Sequence, residues 1–379
     1  MRYLLLFLVA ATLTDTLFSC TAFQLQSQDG AFIYFRTMEY CFPLQSDLLV
    51  VGRNTPYSSA TSNMKWKTKY GFVGMNQSLA PQLVSDGMNE KGLVVGSLYL
   101  LGFAHYEAKD PARMDRQLGP WELASYLLSS CETVEEVKRE IATVVVAHEP
   151  LPYVKDFIVP LHFYISDKHG EVLVLEYLAG KAHLLDNPIG VLTNAPPFSW
   201  QLLNLANYIN LSPVNVPRLD LKNFAVKNHS EGSGLLGLPG DYTPTSRFVR
   251  AALFSHWAQP QKDADHTVLL GFHILNTFDI FDGIVRSKES IQHGHADITE
   301  WSIVHDRTNL KSYFRSYESM QIQMVDLKKL PFEAAGFGII ELNKRFAVQD
   351  ESHSLKPLIT KEATLLQQAL QEKMASASG

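Results

Sequence analysis

Leu17-Phe18-Ser19-Cys20-Thr21 ends an apolar leader and places a cysteine directly behind it. The leader begins with the positive start Met1-Arg2, and its apolar run from Tyr3 to Thr12 ends in small residues. This run is too short to span a bilayer, and Ser19 stands where a peptidase would cut, as is typical of a secretory signal peptide. We therefore predict that residues 1–19 are a signal peptide and that Cys20 is the first residue of the mature chain.

A cysteine with a free α-amine carries a nucleophile and a base on one residue. The α-amine has an ordinary pKa of ~7.7 to 8.0 and the thiol one of ~8.5, so the amine can accept the thiol proton near neutral pH. Three other interpretations of Cys20 stay open. The first is that the segment is a lipoprotein signal and Cys20 carries lipid. The second is cleavage at another position, which Leu17 permits because it is bulkier than the residue usually found three positions before a cleavage site. The third is that Cys20 is an ordinary buried thiol.

Composition limits the class of protein. The chain has 379 residues, a net charge of -6, 46% hydrophobic residues and 19% charged residues. We expect one domain over residues 20–379 and no nucleic-acid partner, since no basic patch is present. No stretch behind the leader reaches 18 apolar residues, so we expect a soluble mature protein without a membrane span, exported to the periplasm or secreted.

Cysteine and histidine usage predicts neither a metal nor a cofactor. Cys41 and Cys131 can pair in an oxidising compartment, but a chain of this length does not need a disulfide, and we favour two free thiols. The stretch His293-Gly294-His295-Ala296-Asp297 has metal-ligating residue types. Its polar neighbours predict a loop, and no second group of ligands is evident.

The apolar pattern predicts an antiparallel α+β domain. Strands are predicted up to Tyr99 and again toward the end of the chain, and Pro56–Asn63 and Asn223–Ser233 are predicted as loops. Helical spacing predicts helices over 121–128, 134–146, 200–208, 246–257 and 266–278. The two kinds of element come in blocks without a βαβ rhythm, which favours layered antiparallel sheets over a doubly wound sheet.

The segment Arg36-Thr37-Met38-Glu39 offers charges that suit an N-terminal cysteine. An arginine beside the sulfur would stabilise a thiolate, and a carboxylate beside the amine would orient it. Arg36 and Glu39 lie on opposite faces of an extended strand, so we expect the strand to end or bend near Thr37 if both reach one site. The alternative is a surface ion pair of little consequence.

Five segments together resemble the choloylglycine hydrolase family, which includes bile salt hydrolases and penicillin V acylases and belongs to the N-terminal nucleophile hydrolases. The resemblance runs from Cys20 to about Asp326. The segments are Cys20-Thr21, Arg36-Thr37-Met38-Glu39, Asp86-Gly87-Met88-Asn89-Glu90-Lys91-Gly92-Leu93, Val191-Leu192-Thr193-Asn194 and Gly237-Leu238-Pro239-Gly240-Asp241-Tyr242-Thr243-Pro244-Thr245-Ser246-Arg247-Phe248.

The resemblance implies a role for each candidate catalytic residue. Cys20 is the nucleophile, Arg36 lies close to its sulfur, and Glu39 holds the α-amine where the family usually has Asp. Asn194 donates to the oxyanion, and Arg247 is a second arginine of the site. Tyr99 stands where bile salt hydrolases tend to have Asn and penicillin V acylases tend to have Tyr, and its backbone N–H serves the oxyanion.

The resemblance further implies a four-layer αββα sandwich, a homotetramer and a small-molecule acyl-amide substrate. We expect an amidohydrolase that cleaves a linear amide between a bulky apolar acyl group and a small polar amine, with penicillin V first. Conjugated bile salts and N-acyl homoserine lactones are the alternatives. A lipid-anchored, non-catalytic binding protein is the alternative from another class.

Overall fold

The computed structural model of the chain describes residues 19–77, 80–152, 157–287, 291, 296–356 and 360–376. Residues 1–18 of the predicted leader, and His293 and His295 of the predicted loop, lie outside the described residues. The chain divides into one compact unit that ends at Lys344 and a second unit that begins at Arg345. The second unit contains one long helix, Thr360–Ser376. The single domain over residues 20–379 stays a prediction.

The strands of the first unit form two large sheets and three short pairs. Their bounds are β1 (Ser19–Gln26), β2 (Phe32–Tyr40), β3 (Leu48–Val51), β4 (Pro56–Ser58), β5 (Lys65–Lys67), β6 (Phe72–Gln77), β7 (Ala80–Asn89), β8 (Val94–Tyr99), β9 (Gln117–Leu118), β10 (Val145–Val146), β11 (Leu161–Ser166), β12 (Val172–Leu178), β13 (Lys181–Asp186), β14 (Arg218–Leu221), β15 (Phe224–Lys227), β16 (Ile298–Asp306), β17 (Lys311–Ser316), β18 (Ser319–Asp326) and β19 (Phe337–Ile340).

The α-helices among the described residues lie in both units. Their bounds are α1 (Leu123–Ser130), α2 (Val134–Ile141), α3 (Phe198–Asn204), α4 (Pro244–Trp257), α5 (Ala264–Leu275) and, in the second unit, α6 (Thr360–Ser376).

The two large sheets are antiparallel throughout. The five-stranded sheet has the order β1-β2-β16-β17-β18, and the eight-stranded sheet has the order β13-β12-β11-β8-β7-β6-β3-β19. Because side chains alternate between the faces of a strand, neighbouring residues of β8 enter different apolar clusters. Val94 packs in the cluster that contains Tyr34 of β2, whereas Val95 packs in the cluster that contains Leu127 of α1. The eight-stranded sheet therefore lies between a second sheet and a helix layer.

Helices cover the outer face of each sheet. α1 contacts β7 and β8, while α4 and α5 contact β1 and β2. Gly271 allows α5 to approach β2 closely, because a Cβ atom there would lie 1.8 Å from Cε1 of Phe35. The order of layers is helix, sheet, sheet, helix, and the predicted antiparallel αββα sandwich is confirmed.

Some local predictions are wrong. The predicted helix over 134–146 ends at Ile141, and Val145–Val146 pair with β9 instead. The run Thr143-Val144-Val145-Val146 is β-branched, which favours the extended chain. The predicted loop Asn223–Ser233 contains β15, which forms a hairpin with β14. Among the described residues, no helix combines the length and apolar character that crossing a membrane requires.

Candidate active site

Strands β1 and β2 bring Cys20 and Arg36 together. They pair in an antiparallel register that sets Cys20 opposite Met38 and Ala22 opposite Arg36. The Cys20 side chain is fully buried, and its Sγ atom lies 3.6 Å from Nη2 of Arg36 and 3.7 Å from Sδ of Met38. Burial raises the pKa of the Cys20 thiol, and the positive charge of Arg36 acts in the opposite direction. A cation therefore stands beside a thiol in the dry interior.

Three further hydrogen bonds fix the Arg36 guanidinium beside the sulfur. Nη1 donates to Oδ2 of Asp86 and to the Ser85 carbonyl, each at 2.9 Å, and Nη2 donates to the Ser97 carbonyl at 2.5 Å. Burial opposes the charged form of Arg36, but the negative charges of Cys20 and Asp86 raise its pKa above the ordinary value. The arginine thus stays charged while it is buried.

Asn194 and Arg247 approach Cys20 from its backbone. Oδ1 of Asn194 accepts hydrogen bonds of 2.7 Å from the Cys20 backbone N–H and from Nη2 of Arg247. Nη1 of Arg247 also donates to the Cys20 carbonyl and, at 2.8 Å, to Oγ1 of Thr21. Burial lowers the pKa of Arg247, against the effect of the Glu39 and Cys20 charges. Two arginines therefore flank the cysteine, one at the sulfur and one at the backbone.

Tyr99 ends β8 next to Asn194. Nδ2 of Asn194 donates to the Tyr99 carbonyl at 3.0 Å, which ties the amide to the end of that strand. Burial raises the pKa of the Tyr99 phenol well above its ordinary value, and the charges of Tyr40 and Cys20 add to this effect. Both the backbone and the side chain of Tyr99 therefore belong to the surroundings of the cysteine.

Glu39 lies on the other face of β2. The strand is unbroken from Phe32 to Tyr40, so the predicted end near Thr37 is wrong, whereas its pairing with β16 shifts register between Thr299 and Trp301, opposite Glu39 and Met38. Oε1 of Glu39 accepts a hydrogen bond of 3.2 Å from Oγ1 of Thr299, while Oε2 is buried without a partner among the described residues. Burial raises the pKa of Glu39 to about 8, and the Arg247 charge lowers it. The negative charge of Glu39 raises the pKa of Cys20, so the carboxylate acts on Cys20 from this face.

The other two cysteines lie apart from these contacts. Cys41 and Cys131 are buried free thiols, and burial raises the pKa of each to about 12. The part of the chain that the structure describes holds no group of three or more side chains suited to a metal ion. The chemistry that the described site offers is that of a thiol, two guanidiniums, an amide and a carboxylate.

Two buried groups of contacts, one around Asp86 and one around His162, escaped the sequence analysis. Asp86 binds Arg36 at 2.9 Å and His305 at 3.0 Å, although 219 positions separate Asp86 from His305 in the chain. His162 lies 3.0 Å from the Thr193 carbonyl, next to Asn194, and its other nitrogen lies 3.1 Å from Glu176. Asp86 is the first residue of a motif that the sequence analysis identified. Nothing in that motif indicated its contacts with Arg36 and His305. Neither histidine has a local signal.

The structure thus places Cys20, Arg36, Asn194, Arg247 and the backbone of Tyr99 in one connected set of contacts. Glu39 joins them through its charge. The catalytic roles of these residues stay predictions.

Comparisons with known proteins agree with one another. The family model of linear amide C–N hydrolases, choloylglycine hydrolase family, matches residues 20–339. A bile salt hydrolase/transferase from Clostridium perfringens is 30% identical over 334 residues, covering 87% of this chain and 98% of that protein. A penicillin V acylase from Pectobacterium atrosepticum is 26% identical, covering 81% of this chain and 80% of that protein. The crystal structure of a mutant conjugated bile acid hydrolase from Clostridium perfringens matches with a TM-score of 0.79 at 28% identity, covering 87% of this chain and 99% of that one.

Proposed function

The chain belongs to the choloylglycine hydrolase family of linear amide C–N hydrolases, and we propose that Cys20, freed at its nitrogen by removal of residues 1–19, is its nucleophile. One observation carries the proposal. The sulfur, nitrogen and carbonyl of a single buried residue each contact a different functional group, namely Arg36, Asn194 and Arg247. The two backbone contacts come from polar side chains that lie 174 and 227 positions away along the chain.

The surroundings of the Cys20 nitrogen fit an α-amine. The nitrogen already donates to Oδ1 of Asn194 at 2.7 Å. Glu39 stands opposite Ser19 in the strand register, and its buried Oε2 lacks a partner among the described residues. A buried acceptor without a donor is costly, and the N–H groups of a free α-amine in place of the Ser19–Cys20 peptide would supply the missing donor. This supports cleavage directly before Cys20.

The reaction follows from these groups. Cys20 Sγ attacks the amide carbonyl carbon, and the α-amine takes the thiol proton. The amine then gives that proton to the leaving nitrogen as the C–N bond breaks, which leaves an acyl-thioester. Water attacks the thioester after losing a proton to the same amine, and the proton returns to the sulfur as the acid departs. Nδ2 of Asn194 and the backbone N–H near Tyr99 hold the oxyanion.

We place penicillin V-like acyl amides first among the substrates, because Tyr99 stands where penicillin V acylases tend to have Tyr. Conjugated bile salts are the second candidate. The similarity of the chain to a protein named bile salt hydrolase/transferase favours them. The matched region covers 98% of that protein. N-acyl homoserine lactones present the same acyl amide and are a third. In each case the acyl group is bulky and apolar, and the amine is small and polar.

We also propose that the protein is exported, to the periplasm or outside the cell, and assembles as a homotetramer. The leader pattern supports export, and the exposed apolar side chains of the β14–β15 hairpin support self-association. Leu219 is 57% exposed and Phe224 is 68% exposed. A large exposed apolar patch is a common mark of an interaction surface.

Two measurements test the nucleophile. The intact mass of the purified mature protein should show a chain that starts at a free Cys20, whereas added lipid would block sulfur and amine and support the binding-protein alternative. Cys20→Ala should abolish turnover, and Cys20→Ser should retain a trace of it. If Cys20→Ala released phenoxyacetate from penicillin V or glycine from glycocholate as fast as the parent, the proposal would be wrong.

A side-by-side panel ranks the substrates. Turnover of penicillin V, glycocholate and a long-chain N-acyl homoserine lactone is measured with the same preparation. We expect penicillin V to be hydrolysed with the highest kcat/KM. Faster hydrolysis of glycocholate would reverse the ranking and leave the nucleophile unaffected.

A further inference from the structure

A polar cluster is buried between the two sheets, behind Arg36. We call it the relay cluster, and it consists of Tyr34, Asp86, His305 and Ser312. All four residues are fully buried. Tyr34, His305 and Ser312 lie on the five-stranded sheet, and Asp86 lies on β7 of the eight-stranded sheet. The cluster therefore connects the two sheets directly beneath the site.

The Asp86 carboxylate accepts three hydrogen bonds at the centre of the relay cluster. Oδ2 of Asp86 accepts from the Tyr34 hydroxyl at 2.7 Å and from Nη1 of Arg36 at 2.9 Å. Oδ1 of Asp86 lies 3.0 Å from Nε2 of His305. A carboxylate only accepts, so Nε2 carries a hydrogen, and Nδ1 lies 2.8 Å from the Ser312 hydroxyl oxygen. Both oxygens of Asp86 are thus held, and the carboxylate has one orientation.

Gly96 makes room for this arrangement. A Cβ atom at Gly96 would lie 2.6 Å from Oδ2 of Asp86 and 2.5 Å from the Tyr34 hydroxyl oxygen. The next residue, Ser97, accepts from Nη2 of Arg36 through its carbonyl. β8 therefore approaches the relay cluster closely enough for its backbone to bind the same guanidinium that Asp86 binds.

We propose that Asp86 and His305 are positioning residues that hold Arg36 against the Cys20 sulfur and so set the reactivity of that sulfur. The inference rests on the proposed role of Cys20 as nucleophile. Nη2 of Arg36 has a strong partner in the Ser97 carbonyl and a weaker contact of 3.6 Å to the sulfur. Asp86 and the Ser85 carbonyl hold Nη1, and of the two only Asp86 carries a charge, so the weaker contact to the sulfur depends on Asp86. His305 acts one step further back, because it fixes the second oxygen of Asp86.

A pair of substitutions at His305 tests this proposal. His305→Ala removes the donor to Asp86, and His305→Gln restores an N–H group at about the same reach. The readout is alkylation of the mature protein by iodoacetamide across pH, with the modified peptide identified by mass spectrometry. The groups that bear on the Cys20 sulfur are Arg36, Glu39, Arg247 and, in the mature protein, the Cys20 α-amine. None of them is altered by either substitution.

We expect His305→Ala to slow alkylation of Cys20 at pH 7 by roughly tenfold and to move the midpoint of its pH profile upward by about one unit, since one unit corresponds to a tenfold change. His305→Gln should return the rate to within about threefold of the parent. kcat should fall with the alkylation rate. KM should change little, because Asp86 and His305 lie behind Arg36 and do not contact the substrate.

Asp167→Asn is the matched structural control. Asp167 is also a buried carboxylate, and it accepts from the backbone N–H groups of Val134 and His169, away from Cys20. This variant should lower the melting temperature and leave the alkylation profile of Cys20 unchanged. Should His305→Ala not fold, Ser312→Ala takes its place, with an expected slowing of about threefold, a fraction of one pKa unit.

The proposal is overturned if His305→Ala, or Ser312→Ala in its place, lowers the melting temperature yet keeps the parent's alkylation rate and midpoint. Failure of the proposed function looks different. In that case the Cys20→Ala variant turns over substrate as the parent does, or the mature chain does not begin at Cys20. The alkylation comparison would still report whether the relay cluster controls the sulfur.

Discussion

Nη2 of Arg247 donates a hydrogen bond of 2.7 Å to Oδ1 of Asn194. Because a guanidinium only donates, this contact identifies the oxygen of the amide group and so its orientation. Nδ2 therefore points toward Tyr99, whose carbonyl it reaches at 3.0 Å. An amide nitrogen carries two hydrogens, so the second one can serve an oxyanion at the same place. Arg247 thus orients the amide that we expect to stabilise the transition state.

Removing that donor should slow the chemical step. We expect Asn194→Ala to lower kcat by roughly 100 to 1,000-fold with a small change in KM, since one oxyanion donor contributes about this much. Asn194→Asp keeps the shape and the acceptor for Arg247 but cannot donate, so its loss should be at least as large. Steady-state kinetics on the best substrate measure both. A kcat within tenfold of the parent for Asn194→Ala would show that the oxyanion is held elsewhere.

Glu39 should make the uncleaved chain sensitive to pH. Burial raises its pKa to about 8, above its ordinary value of 4.5. A carboxyl group with a raised pKa binds more protons in the folded state, so its contribution to stability is complete below about pH 4.5 and is lost as pH rises through 8. The chain with its leader retained, as verified by intact mass, should therefore have a lower free energy of unfolding at pH 8 than at pH 5.

Glu39→Gln isolates this effect. Asp297 and Glu300 also have pKa values raised to about 7 by burial, so the parent alone does not identify the group. The drop in the free energy of unfolding from pH 5 to pH 8, measured by urea titration, should be smaller in Glu39→Gln than in the parent. In the mature protein the difference should shrink, because hydrogen bonds from the α-amine to the carboxylate would favour its charged form. Equal drops in the parent and Glu39→Gln would contradict the raised pKa.

The sequence pattern predicted an antiparallel α+β domain and the linear motifs of the site well, for a physical reason, whereas the four layers were implied by the family resemblance. Alternation in β8 and helical spacing in α4 are local, and a motif such as Val191-Leu192-Thr193-Asn194 lies within a few residues. The contact of Asp86 with His305 spans 219 positions, and only the stacking of two sheets brings it about. The hairpin of β14 and β15 escaped prediction because its strands are exposed, so burial leaves no alternating pattern.

Gly271 offers a test of the helix packing on β2. Alanine would gain about 1 kcal/mol of helix propensity over glycine. Its Cβ atom, however, would lie 1.8 Å from the ring of Phe35, which is fully buried. Overpacking of this kind costs about 1 to 3 kcal/mol, so we expect net destabilisation of Gly271→Ala in urea titration. At Gly240 nothing lies within 4 Å of the added atom, and Gly240→Ala should stay within about 0.5 kcal/mol of the parent.

The hairpin of β14 and β15 should be covered by a second copy of the chain. It forms a separate two-stranded sheet, and a lone hairpin is marginal in water without packing. Leu219 and Phe224 are nevertheless more than half exposed, at 57% and 68%. Phe224→Asp would place a charge in such an interface and should convert the proposed tetramer to smaller species, as measured by light scattering after size exclusion. Leu269→Asp changes an equally apolar side chain, 55% exposed on α5, and should leave the mass unchanged. A parent that is already monomeric, or a Phe224→Asp variant with the parent's mass, would show that the hairpin is not the assembly surface.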